Sequence, residues 1–261
     1  MKIAFCTHCN DKIYESIGCD KLVRSAKYFH PKIPFLVYGD KEINRIFKEN
    51  PWCDFYTIHP VVAQEVKKKY DLVVHFDADS VIVDPLDEIL KADYEVAGVR
   101  NNPDFSYEIN EHLLQFGINW LQYINAGCVA STSDKFYDLW VDVNKSKYVH
   151  YFPYKEQDIL NIIAYSDKFN FKLLDPIDKP LYYGVSNVYS TFTKPLPESC
   201  KTYRNLNFWE SWQDIKVKKS GLYLNNKKVK ILHQAGGFNE KKLQPDIFNK
   251  ETWKFIESII R

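Results

Sequence analysis

The chain has 261 residues, 45% of them hydrophobic and 16% aromatic, enough apolar material for one large α/β domain or two small ones. A formal net charge of +1, with basic stretches compensated by acids, gives no electrostatic case for nucleic acid. No run reaches the ~18 to 20 apolar residues of a membrane span, and Met1-Lys-Ile-Ala-Phe-Cys6 reads as a first strand and not a secretory signal. The expected setting is cytoplasmic, with peripheral association at a membrane left open.

In chain order, the first half alternates strand and helix. Lys2–Thr7 reads as a strand, and Asp11–Phe29 as a helix whose apolar stripe runs from Ile13 to Ala26. Ile33–Tyr38 is a second strand, Lys41–Lys48 a short helix, Asp54–Ile58 a third strand and Val61–Tyr70 a helix carrying the solvated Lys67-Lys68-Lys69 face. The run Leu72-Val-Val-His-Phe-Asp-Ala-Asp-Ser-Val-Ile-Val-Asp84 then reads as a buried strand that delivers Asp77 and Asp79 to its carboxyl end. Ligands of open α/β sheets bind outside the carboxyl ends of the strands. Two positions apart in extended chain, the two carboxylates face the same way and can share one hard cation, which would neutralise a diphosphate. Pro85–Lys91 reads as a helix and Tyr94–Val99 as a strand. Such alternation implies a mainly parallel sheet flanked by helices.

The second half is less regular. Tyr123–Ala130 and Phe171–Leu174 read as strands, Asp134–Lys145, Glu156–Tyr165 and Glu251–Arg261 as helices, and Gly221–Leu224 with Lys228–Leu232 as a hairpin around Asn225-Asn226. Asp175–Pro197, rich in proline and tyrosine, reads as an ordered loop region. No linker or internal repeat divides the chain. The six cysteines have no framework spacing, so a reducing compartment is the simpler assumption. Cys6-Thr-His-Cys9 has no second pair to close a zinc site.

Several short motifs stand in order beyond the aspartates. Asn125-Ala126-Gly127 offers an amide that both donates and accepts and a glycine for close backbone approach. Glu156-Gln157-Asp158-Ile-Leu-Asn161 opens a helix with two acids, which the helix dipole favours in any case. His233-Gln-Ala-Gly236 follows an apolar strand, and its imidazole suits manganese better than magnesium or calcium. At the first strand-to-helix turn, Thr7, Asn10, Asp11 and Tyr14 combine a helix N-terminus with an aromatic on which a base could stack. Helix capping by Asn10 or Asp11 is compatible with that role.

This ordered series resembles the retaining glycosyltransferases of the glycogenin and bacterial lipooligosaccharide galactosyltransferase type, across nearly the whole chain. The resemblance implies the GT-A (Rossmann-like) α/β fold in a single domain. Residues 1–100 would form the nucleotide-binding half and residues 101–261 the donor-sugar and acceptor half. It implies a nucleotide-diphosphate sugar, a UDP-sugar first, and a glycan, glycolipid or glycoprotein acceptor. Mn2+, with Mg2+ as the alternative, would be held by Asp77, Asp79 and His233. Glu156, Gln157 and Asp158 would face the reacting centre. Thr7, Asn10, Asp11, Tyr14, Asn125, Ala126, Gly127 and Gly236 would contact substrate. Three features depart from the family, the first being that its phosphate-binding Lys-Pro-Trp after the histidine motif is replaced by Gly237-Phe-Asn-Glu-Lys241-Lys242. Glu156 replaces an aspartate, and a basic residue expected upstream of the aspartates gives way to Pro60-Val61-Val62. Arg100, Lys241 and Lys242 are the candidate replacements for contact with the donor phosphates. The aromatic stretches Asp104–Trp120 and Tyr182–Trp212 are the candidate acceptor groove.

Three rival readings attach to the same residues. A haloacid-dehalogenase-like phosphatase also uses Asp-x-Asp after an apolar strand, with Asp175-Pro-Ile-Asp178 as its late acidic pair, but that motif ends its first strand. A nucleotidylyltransferase would want glycines between Thr7 and Asp11, where there are none. A degenerate, glycan-binding relative would not need an intact metal set.

Overall fold

A computed structural model describes residues 1–100, 113–118, 122–174, 184–185, 215–224, 227–233 and 249–261. Strands β1 (Ile3–His8), β2 (Phe35–Tyr38), β3 (Leu72–Phe76), β4 (Ser80–Ile82), β5 (Val96–Arg100), β6 (Ile124–Ser131) and β7 (Phe171–Leu173) carry most of the architecture. All but β4 join one six-stranded sheet in the order β2-β1-β3-β6-β5-β7. Five of these strands run one way; β6 runs against both its neighbours, β3 and β5. The sheet is thus mostly parallel, as the alternation of elements requires, with one reversed strand at its centre. Every residue of β6 is buried, so its composition holds no sign of direction.

Side chains alternate between two cores across this sheet. On one face Ala4, Cys6, Val73 and Val129 pack with Val62 and Trp140, beneath the helices His59–Lys67, Asp134–Asn144 and Lys155–Ala164. On the other, Phe5, Val74, Phe76 and Ala130 pack with Leu22 and Ala26 of the helix Cys19–Phe29. Chain order therefore brings the carboxyl ends of β1 and β3 and the start of β6 to one place.

Three expected elements differ. Asp54–Ile58 is a turn and not a strand. The Asp54 carboxylate accepts the N–H groups of Tyr56 and Thr57, both at 2.9 Å, a local bond that competes with sheet pairing. The first long helix is broken at Gly18, whose φ of 96° is a left-handed conformation that glycine adopts freely. The hairpin is shorter than its sequence. Gly221–Leu224 (β10) pairs with Lys227–Lys228 (β11), with Lys216–Lys218 (β9) on its other side, while Ile231–His233 (β12) leaves for another sheet.

That second sheet has the order β4-β12-β8, with Gly184–Val185 as β8. β12 lies antiparallel to β4, with Ile231 opposite Ile82 and His233 opposite Ser80. The register is anchored next door. Lys228 Nζ is 2.6 Å from Asp84 Oδ1, and buried Lys230 bonds both Asp84 and the carbonyl of Pro85. The C-terminal helix Lys250–Ile260 closes the core behind β4 and β12 through Ile256, Ile259 and Ile260.

Candidate active site

The chain leaves β3 through Asp77-Ala78-Asp79 and enters β4 at Ser80. The pairing of His233 with Ser80 sets its imidazole over the two carboxylates. His233 Nε2 is 3.0 Å from Asp79 Oδ1 and 3.3 Å from Asp77 Oδ2. Donor atoms of all three residues lie within 4.8 Å of one another. Gly127 forms the floor. A Cβ there would stand 2.6 Å from His233 Cε1 and 2.8 Å from Asp77 Oδ2, so only glycine lets β6 run this close. Asp77 N–H donates to the Gly127 carbonyl at 2.9 Å, which fixes the spacing.

The electrostatics suit a cation. Burial opposes charge on His233, but Asp79 and Asp77 outweigh it and push the imidazole up to about 9. Burial likewise disfavours an ionised Asp77, yet His59 and His233 hold it well below the usual carboxylate range. A proton here occupies ground that a divalent ion would contest, since metal ligands bind deprotonated. Two carboxylates and one imidazole fit Mn2+ better than an ion that demands an all-oxygen shell.

A residue outside the expected set completes the picture. His59 Nε2 is 3.0 Å from Asp77 Oδ1, and its Nδ1 is 3.4 Å from Glu156 Oε1. Burial lowers the tendency of His59 to charge, but Asp77 and Glu156 overcome it and push it up to about 10. A buried imidazole therefore faces Asp77 from one position before Pro60, where the sequence shows no lysine or arginine. Histidine followed by proline at a helix start was the available signal.

The three residues at the start of the helix Lys155–Ala164 point to different partners. Glu156 turns to His59, and burial raises its carboxyl above the ordinary value despite that neighbour. Gln157 Oε1 accepts the Ala126 N–H at 2.9 Å, and Asn125 Oδ1 accepts that of Gly127 at 2.7 Å. Asp158 is fully buried and accepts from Tyr123 Oη at 2.7 Å and Tyr154 N at 2.9 Å. Asn161 pairs with the backbone of Ile124 through both its amide atoms. This helix is thereby laced to β6. Lys155, at φ 43°, is a strained non-glycine residue, and its Nζ is 2.7 Å from Asp54 Oδ2. That pair ties the helix to the loop before His59.

At the other end of the site, Thr7 is fully buried, with no hydrogen-bond partner for its hydroxyl among the described residues. Asn10 makes no side-chain cap. Asp11 instead reaches the next helix start, where its Oδ1 accepts the Asp40 N–H at 3.4 Å. Tyr14 packs against Cys9, Cys19 and Ala78, so it lies beside the segment linking the two aspartates. Arg100 is buried at the end of β5. The cysteines at 6, 9, 19, 53 and 128 are free. Gly236, Lys241, Lys242 and most of both proposed acceptor stretches lie outside the described residues.

No protein-family model matches the sequence, and no curated protein matches it either. Solved structures do. The galactosyltransferase LgtC, in complex with donor and acceptor sugar analogs, aligns over 98% of this chain and 95% of its own at 14% identity, with a TM-score of 0.57. The chain has the GT-A glycosyltransferase fold. Mouse xyloside xylosyltransferase 1 shares it over 90% of this chain and 98% of its own at 9% identity, TM-score 0.55. The bifunctional glycosyltransferase WbbM matches 99% of this chain at 17% identity and TM-score 0.57, and the chain spans 49% of that larger protein. In GT-A terms, the Asp77–Asp79–His233 cluster lies at the carboxyl end of a central strand of the main sheet, where β3 gives way to β4.

Proposed function

We propose that this chain transfers a sugar from a nucleotide-diphosphate sugar, with uridine the first base to test, to a hydroxyl of a glycan, glycolipid or glycoprotein. The observation that carries this reading is the convergence of Asp77, Asp79 and His233 from β3, its following turn and β12 within a GT-A fold. In this reading the chain works as one domain, its first hundred residues holding the nucleotide, and it works in the cytoplasm. Among the described residues no helix is long and apolar enough to cross a membrane.

A divalent ion, manganese before magnesium, would be held by Asp77, Asp79 and His233 and would act as a Lewis acid on the diphosphate. The remaining work belongs to the chain. Thr7, Asn10, Asp11 and Tyr14 line the nucleotide end. Asn125, Ala126 and Gly127, held in register by Gln157, face the donor sugar in this reading, and Gly236 is a further substrate contact. The bond from the anomeric carbon to the diphosphate oxygen breaks as a bond to the acceptor oxygen forms. The acceptor proton passes to the departing phosphate. Glu156, turned toward the aspartates through His59, stabilises positive charge at the anomeric carbon. Asp158 is a positioning residue that holds this helix to Tyr123.

The configuration is retained in this reading. Proton NMR of early product is expected to show the donor's anomeric configuration kept, and an inverted product would remove Glu156 from its role. The phosphatase alternative is less well supported, because Asp77 follows the third strand of the sheet in chain order and the structural relatives described above are glycosyltransferases.

A further inference from the structure

Three imidazoles meet on the inner side of Asp77, one from each of three elements. His8 ends β1, His75 lies within β3, and His59 opens its helix. His8 and His75 are 5% and 2% exposed, and one donor nitrogen from each of the three lies within 4.8 Å of the others. His8 Nδ1 and His75 Nε2 are 3.4 Å apart, long for a hydrogen bond. It matches the edge of a tetrahedral zinc site, because two nitrogens each 2.0–2.1 Å from such an ion stand roughly 3.3–3.4 Å apart.

The surroundings match those of ligating imidazoles, which are oriented by a second bond to a backbone group or a carboxylate. The His8 ring packs edge-on against Phe55, with centroids 5.2 Å apart, and Nε2 of His59 is fixed at 3.0 Å by Asp77. Nδ1 of His59 is buried, and its nearest polar neighbour is Glu156 Oε1, at 3.4 Å, long for a hydrogen bond. Three polar rings inside an apolar core are costly unless their nitrogens are satisfied.

We propose that His8, His59 and His75 form a second metal site, for a borderline-soft divalent ion of the zinc class, next to the Asp77–Asp79–His233 set. An all-imidazole donor set suits zinc, whereas carboxylates favour manganese and magnesium. The two sets therefore select different ions. Asp77 stands between them, with Oδ1 toward His59 and Oδ2 toward His233, so an ion among the histidines would fix the orientation of that carboxylate. The proposal concerns metal content alone and stands apart from sugar transfer.

The test is metal counting on the full chain, stripped with chelator and titrated back. Co2+ is followed by its visible ligand-field absorption and Zn2+ by elemental analysis. The expected result is one tightly held Zn2+ or Co2+ that survives in Asp79→Asn and is lost in both His8→Gln and His75→Gln, each checked for a wild-type circular-dichroism spectrum. Wild-type protein whose only bound ion disappears in Asp79→Asn would overturn the proposal. So would an unchanged cobalt spectrum in folded His8→Gln. If both histidine variants fail to fold, the wild-type stoichiometry in the presence and absence of Asp79 decides alone.

Discussion

His233 Nε2 lies 3.0 Å from Asp79 Oδ1 because β12 runs antiparallel to β4 with His233 opposite Ser80. Two segments far apart in sequence thus share one cation-ready pocket, and the Asp84 clamp beside them sets the register. Replacing His233 by alanine is expected to leave a folded protein with manganese affinity lowered by about one to two orders of magnitude, the range for loss of a group that orients or completes a metal site. Electron paramagnetic resonance of free Mn2+ reads this directly. Unchanged affinity in folded His233→Ala would remove the histidine from the site.

Glu156 and Asp158 are two positions apart yet carry different duties in this account. Asp158 is fully buried between Tyr123 and Tyr154. Asp158→Asn should therefore cost stability, about 1–3 kcal/mol, the penalty for a buried partner left unsatisfied. Urea unfolding measures it. Glu156→Gln, which keeps an acceptor toward His59, should lower kcat by about 10²-fold or more, the size seen when one electrostatic stabiliser is removed. A reversed pattern would exchange their roles.

The Glu156–Asn161 helix start and the Asp-Ala-Asp strand were legible because each is written in contiguous sequence, whereas the lacing of that helix to β6 joins residues more than thirty positions apart. Leu72–Phe76 is an unbroken apolar run, and Glu156 to Asn161 reads as one acidic helix start. Gly127 signalled close approach, although only the fold reveals that His233 and Asp77 are what it approaches. The direction of β6 was hidden because both its faces are buried. The Asp54 turn was hidden because one side chain outbid the β-branched and aromatic residues that follow it. His59 as a partner of Asp77 is not legible in sequence, because a histidine before Pro60 carries no fixed charge and reaches Asp77 only through the fold. His75, a polar residue inside an apolar strand, was the clue that histidine matters here.

Acid should destabilise the protein in part through His30. Its Nε2 accepts the Leu86 N–H at 3.1 Å, and burial lowers its pKa from the ordinary 6.5, with Lys230 adding to the effect and Asp87 opposing it. A histidine with a depressed folded-state pKa contributes stability that is present above about pH 6.5 and lost as pH falls toward the folded value, because the unfolded chain takes up the proton first. Stability should therefore decline below about pH 6.5, and less steeply in His30→Gln, which keeps an acceptor but no titrating group. Parallel pH profiles for the two proteins would contradict this.

Metal-dependent nucleotide binding tests the central claim most directly. Thermal melting should be followed with uridine, guanosine and adenosine diphosphates, each with and without Mn2+, for wild type and Asp79→Asn. One nucleoside diphosphate, uridine diphosphate first, should raise the wild-type melting point only when manganese is present. At a hundredfold excess over Kd the stabilisation should approach about 2.7 kcal/mol, and it should vanish in Asp79→Asn. No shift with any nucleoside diphosphate, together with magnesium-dependent hydrolysis of a simple phosphomonoester, would contradict the account and assign Asp77 and Asp79 to phosphatase chemistry.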